Sequence, residues 1–105
     1  MMKPDKLLRK IRKSVIENAP DAQIILFGSH ARGDSHLESD WDIIILLKEK
    51  EISYDFEKKL THSLYDIEFE TGEIISPMIY SEHDWNHKYR ITPFYKNVMK
   101  DGIKI

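Results

Sequence analysis

The chain has no cysteine, which excludes disulfides, thiolate metal sites and thiol redox chemistry. No apolar run approaches the roughly 18 residues that a membrane helix needs. The basic N-terminus lacks the apolar core of a signal peptide, so a cytoplasmic protein is expected. Internal repeats and low-complexity segments are also missing. Neither sign of charge dominates. A net charge of -2 argues against a general binder of polyanions. What remains is an ordinary globular composition, with 41% hydrophobic and 32% charged residues. A length of 105 residues fits a single domain, 1–105, whose one core buries roughly 65% of the unfolded surface.

Against that background one stretch stands out, IILFGSHARGDSHLESDWDIIILL, from Ile24 to Leu47. Its two short, Ile-rich runs, Ile24 to Phe27 and Ile43 to Leu47, are bounded by turn residues and read as buried strands. Side chains on a strand alternate faces, so Asp40 and Asp42 point to one side and Trp41 to the other. Two carboxylates one strand-step apart repel each other and gain from a shared divalent cation. If the second strand runs antiparallel to the first, Gly28-Ser29 lies beside the aspartates. Gly28 permits positive φ or close approach to a ligand, and Ser29 offers a hydroxyl and an N–H. Taken singly, a glycine turn and two solvated aspartates are the plainer readings. Together, ahead of a strand apolar on both faces, they suit a phosphate cradle facing a metal-binding pair, as a nucleoside triphosphate on Mg²⁺ would require.

The rest of the chain reads as helices and one more strand. Pro4 to about Asn18 is a helix with Leu7, Leu8, Ile11 and Val15 as its apolar stripe. Its other face carries Lys6, Arg9, Lys10, Arg12 and Lys13, which suits a solvated face better than nucleic-acid binding. Ala31 to Gly33 suits a short helix start facing phosphates. Arg32 suits either a bidentate phosphate clamp or a surface ion pair with Asp34 or Glu38. Ile52 to Thr71 is an amphipathic helix closed by Gly72. Glu73 to Tyr80 reads as a third strand, at an edge because Pro77 lacks an N–H. The helix between strands two and three implies a parallel crossover, which brings Glu73 towards Asp40 and Asp42. Ser81-x-x-Asp84 caps a short helix, and Thr92-Pro93 starts a last one, stopped by Gly102. Ile103-Lys104-Ile105 suits either a short strand or simple packing. His83 and His87 have the spacing of a zinc helix, but its Glu base and a third ligand are missing. The expectation is an α/β (α+β) chain with a three-stranded mixed sheet, in the order α-β-(short α)-β-α-β-α-α.

Gly28-Ser29, ten intervening residues and Asp40-x-Asp42 before an aliphatic strand resemble the signature of the DNA polymerase beta-type nucleotidyltransferase superfamily. Gly28-Ser29-His30-Ala31-Arg32-Gly33 and Ser39-Asp40-Trp41-Asp42 look like its minimal nucleotidyltransferase (MNT), antitoxin-like branch. The resemblance covers nearly the whole chain. It implies the small nucleotidyltransferase fold and transfer of an NMP, AMP from ATP, to an acceptor hydroxyl. Asp40 and Asp42 would be catalytic and hold Mg²⁺ or Mn²⁺, while Gly28, Ser29 and Arg32 would bind the nucleotide. The superfamily's third carboxylate lies within strand three, where this chain reads Ile75-Ser76-Pro77-Met78. Glu73 is the nearest candidate for that metal ligand, and it reads equally as a solvated turn residue. Relatives of this kind resemble the antitoxin half of two-gene systems and transfer AMP to a tyrosine of a helical HEPN-type partner. The expected partner is such a protein, with self-association open and nucleic acid and membranes not expected. The alternative is a catalytically weak nucleotide-binding antitoxin module that neutralises its partner by binding.

Overall fold

The central strand determines the layers. Ile43, Ile44, Ile45, Leu46 and Leu47 are all buried, so this strand is covered on both faces. The structure, a computed structural model, describes residues 4–36 and 39–105. Its elements in chain order are α1 (Pro4–Asn18), β1 (Gln23–Phe27), α2 (Ser29–Arg32), β2 (Trp41–Leu47), α3 (Tyr54–Thr71), β3 (Ile75–Ser81), α4 (Glu82–His87), α5 (Pro93–Asp101) and β4 (Ile103–Lys104). The sheet order is β3-β2-β1-β4. β1 is antiparallel to β2 and to β4, and β2 is parallel to β3 across the α3 crossover.

Alternation along β2 sorts its side chains between two cores. Ile43, Ile45 and Leu47 pack with Leu7, Ile11 and Val15 of α1 and Leu60 and Leu64 of α3. Ile44 and Leu46 pack with Ile25, Trp85 of α4 and Val98 of α5. The helix starts follow capping chemistry. Ser53, Ser81 and Thr92 accept from the N–H groups of Phe56, Asp84 and Tyr95. Gly72 closes α3 in the left-handed conformation at φ 76°.

The sheet has four strands where the sequence led us to expect three. Ile103–Lys104 pairs with Ile25 and Leu26 of β1, and Ile105 donates to Ile24 O at 3.0 Å. Two exposed residues carry no alternating pattern, so this strand has no periodic signature. Its docking depends on Gly102. A Cβ there would overlap Val98 O and stand 2.6 Å from Ile25 Cγ2. Gly102→Ala is therefore expected to destabilise the chain by about 1–3 kcal/mol, the usual range for overpacking. Chemical denaturation measures it, and a variant as stable as wild type would show that β4 shifts without cost.

Candidate active site

β1 ends at Phe27, and the chain turns at Gly28 with φ 76° and ψ -158°. That conformation is essentially open only to glycine. α2 begins at once. Ala31 and Arg32 donate their N–H groups to Gly28 O at 3.1 Å, so the N–H groups of Ser29 and His30 precede the first helical hydrogen bond. Gly33 ends α2 in the left-handed region, where Asp34 N–H reaches Ser29 O at 3.1 Å.

The register then brings in the acidic pair. Phe27 stands opposite Asp42, so the aspartate meets the chain where it turns. A Cβ on Gly28 would overlap Asp42 Oδ2 and stand 3.2 Å from its Cγ. The carboxylate thus lies directly over the glycine. Asp40 sits one strand-step earlier and accepts from Ser76 Oγ at 3.2 Å. The parallel register places Ser76 opposite Asp42. The Asp42 carboxyl is pushed above the usual carboxylate range, chiefly by burial and then by the charge of Asp40. Charges on His30 and Arg32 pull it the other way.

Arg32 lines the same cleft as Gly28, Ser29 and Asp42, which extends over about 420 Å³. Its Nε also lies 3.3 Å from Asp34 Oδ2 on the surface, a pair too exposed to hold it firmly. The two readings of Arg32 are therefore compatible. Glu38, its other expected ion-pair partner, lies outside the described residues.

Glu73 sits elsewhere. Trp41 points to the face opposite the aspartates, and its Nε1 donates to Glu73 Oε2 at 3.1 Å. The same indole stacks on His30, with centroids 3.5 Å apart and planes 11° from parallel. His30 Nε2 lies 3.1 Å from Ser39 O, which ties the end of the loop to its start. Glu73 thus serves a packed His30–Trp41 corner. Among the described residues no group of three His, Asp or Glu side chains gathers closely enough to hold an ion.

The opposite wall of the cleft comes from α5, through Phe94, Asn97, Val98 and Asp101. Reading the sequence did not identify these residues, nor Ser76, as part of the site. The spacing 94, 97, 98, 101 marks one helix face. What that face covers is decided by its docking on β1. Another cavity of about 240 Å³ lies at the far end of β2, between Leu47, Ser53 and Phe56. It has no share in the acidic pair.

A family model described as a nucleotidyltransferase domain matches residues 8–103. The chain belongs to the nucleotidyltransferase domain family. Two relatives come from Methanocaldococcus jannaschii, and each is named a "putative protein adenylyltransferase". One is 36% identical over 80 residues, covering 76% of this chain and 73% of the relative. The other is 34% identical over 102 residues, covering 94% and 95%. Solved structures share the fold. A toxin–antitoxin crystal structure with AMP-PNP superposes with a TM-score of 0.65 at 23% identity, covering 91% of this chain and 69% of that one. A mutant of the toxin–antitoxin MntA-HpeT does so at 0.61 and 18% identity, covering 98% and 72%.

The acidic pair makes a prediction about stability. Because the Asp42 value is raised on folding, ionising it costs stability. That cost is absent well below the ordinary carboxylate range, grows as pH rises, and is complete above the raised value. Asp40→Asn removes the second cause of the shift. Carbon-detected NMR titration is expected to show Asp42 ionising at lower pH in the variant. Melting temperatures should show a gain at neutral pH that vanishes in acid. An unchanged Asp42 titration would show that the two carboxylates do not sense each other.

Proposed function

We propose that this chain is a metal-dependent nucleotidyltransferase that moves AMP from ATP to a hydroxyl of a helical, HEPN-type partner protein. The observation that carries this reading is the Asp42 carboxylate lying over Gly28 in one cleft with Ser29 and Arg32. The family, the names of the relatives and the toxin–antitoxin structures support it.

The donor set fits Mg²⁺ or Mn²⁺. Asp40 and Asp42 are hard oxygen donors, and burial followed by the charge of Asp40 raises the Asp42 value. Mg²⁺ is commonly held by one or two carboxylates plus substrate phosphates, so a third protein ligand is not required. When bound, the ion neutralises phosphate charge and polarises the reacting phosphorus. The chain's own residues supply position and charge. Ser29 and the leading amides of α2 orient the β and γ phosphates, Arg32 pairs with them, and Asp40 and Asp42 fix where the α phosphate lies. The acceptor hydroxyl attacks that phosphorus and pyrophosphate leaves.

One observation favours a second reading. Ser76 stands opposite Asp42 in β3, and Glu73 is engaged by Trp41, so among the described residues the pair belongs to no cluster of three potential metal ligands. A nucleotide-binding module that neutralises its partner mainly by binding is the alternative function. No helix among the described residues is long and apolar enough to cross a membrane.

Calorimetry tests the site. Mn²⁺ is expected to raise ATP affinity, and Asp42→Asn should remove at least tenfold of that gain, about 1.4 kcal/mol. Unchanged metal-dependent binding would reject the site. Co-expression with the neighbouring gene product tests the acceptor. The expected result is a partner heavier by one AMP moiety in intact-mass measurement. A partner that binds stably but stays unmodified would favour the binding module. Label on RNA or a small molecule would reject the protein acceptor.

A further inference from the structure

The two walls of the cleft differ in chemistry. The α2 wall carries Gly28, Ser29 and Arg32. The α5 wall carries an aromatic ring, an amide and a carboxylate, and no cation. Lys96 and Lys100 belong to α5 but do not line the cleft. A carboxylate at Asp101 repels phosphate, whereas the Arg32 guanidinium attracts it. A polyphosphate is therefore favoured on the Arg32 side, which leaves the α5 wall for an uncharged group.

That wall presents an aromatic ring held in place. Phe94 meets Phe27 edge-to-face, with centroids 5.5 Å apart and an 80° angle. Trp85 holds the same ring at 5.8 Å and 84°. Phe94 is thus fixed from two sides, with one flank on the cleft. One turn on, Asn97 is exposed, and its amide makes no hydrogen bond among the described residues. Asp101 follows on the same helix face, likewise without a hydrogen bond or ion pair among them. Ligand sites commonly combine an apolar wall with a few unpaired polar groups inside about 300–1,000 Å³.

We propose that the inner face of α5 is the nucleobase subsite, with Asn97 as its specificity-determining residue. This inference rests on the nucleotidyltransferase reading above. The Asn97 amide offers an acceptor and a donor side by side, which complements the exocyclic amine and adjacent ring nitrogen of adenine. Uracil can also pair with an amide through N3–H and O4, so the preference comes from Asn97 and Asp101 acting together. With the Asn97 amide holding the base edge, Asp101, which only accepts, favours an exocyclic amino group over the carbonyls that flank uracil N3–H. Phe94 supplies the apolar surface against which the ring lies.

The test separates base from phosphate by using a ligand without a base. Binding of ATP, UTP and inorganic tripolyphosphate is measured by calorimetry with Mn²⁺, for wild type and Asn97→Ala. Wild type is expected to prefer ATP to UTP. Asn97→Ala should weaken ATP about tenfold, bring the ATP to UTP ratio towards one, and leave tripolyphosphate unchanged. Met99→Ala, on α5 but outside the cleft, should match wild type throughout, and melting temperatures should show all three proteins folded. Equal weakening of tripolyphosphate in Asn97→Ala would assign Asn97 to the phosphates and overturn the subsite. An unaltered ATP to UTP ratio, with wild type binding both, would also overturn it. Wild type binding none of the three ligands would instead reject the nucleotidyltransferase reading.

Discussion

The contact between the Asp42 carboxylate and the bare α-carbon of Gly28 is the constraint on which the site depends. No other residue tolerates both the backbone angles and the missing space at position 28. Three features must agree to make it. β1 must end at Phe27, β2 must pair with it antiparallel, and the register must set Phe27 against Asp42. A slip of one residue would turn Asp42 into the α1 and α3 core and bring an isoleucine or Trp41 to the cleft. Side-chain alternation along β2 means that the slip would bury the Asp42 carboxylate in an apolar core, and that cost prevents it. The cores on the two sides of the sheet therefore hold the register that positions the site.

The same alternation accounts for Glu73. The parallel crossover does bring the start of β3 beside the start of β2, with Trp41 N–H on Ile74 O at 2.8 Å. Proximity of strand ends does not decide which face a side chain serves. Glu73 meets the indole of Trp41, and Trp41 belongs to the face opposite the aspartates. On the acidic face the neighbour supplied by β3 is Ser76. A hydroxyl hydrogen-bonds one carboxylate without adding to the charge of the pair. That β3 adds a hydroxyl and not a carboxylate beside the aspartates is thus a consequence of register and residue choice.

Legibility in the sequence followed the range of the forces involved. Helix starts at Pro4, Ser81 and Thr92, the stop at Gly72, and the turn at Gly28 each rest on chemistry within four residues, and all were readable. The acidic pair was readable because Asp40-x-Asp42 before an aliphatic run fixes its own geometry. The packing of α5 across the cleft was not. Its face depends on Val98 meeting Ile25 and Phe94 meeting Phe27, contacts some 70 residues apart in sequence. β4 was ambiguous for a related reason, since two exposed residues pair only because Gly102 lets them approach.

The electrostatics of the cleft link its proposed ligands. Asp42 and Asp101 both line it, Asp40 adds charge at its edge, and Arg32 is the cationic side chain on its wall. A bare triphosphate would meet those carboxylates at a cost, and a bare divalent ion would find no cluster of three ligands among the described residues. Each would supply what the other lacks, with phosphate oxygens as further ligands for an ion held by Asp40 and Asp42 and the ion's charge offsetting that of the carboxylates. Binding of the two would then be mutually reinforcing, and by linkage the reinforcement would be equal in both directions. In the proposed base subsite, contacts to Phe94 and Asn97 would involve no net charge, so they would add affinity without relieving the repulsion. Ion and polyphosphate would thus govern whether the site fills, and α5 would govern which nucleotide fills it.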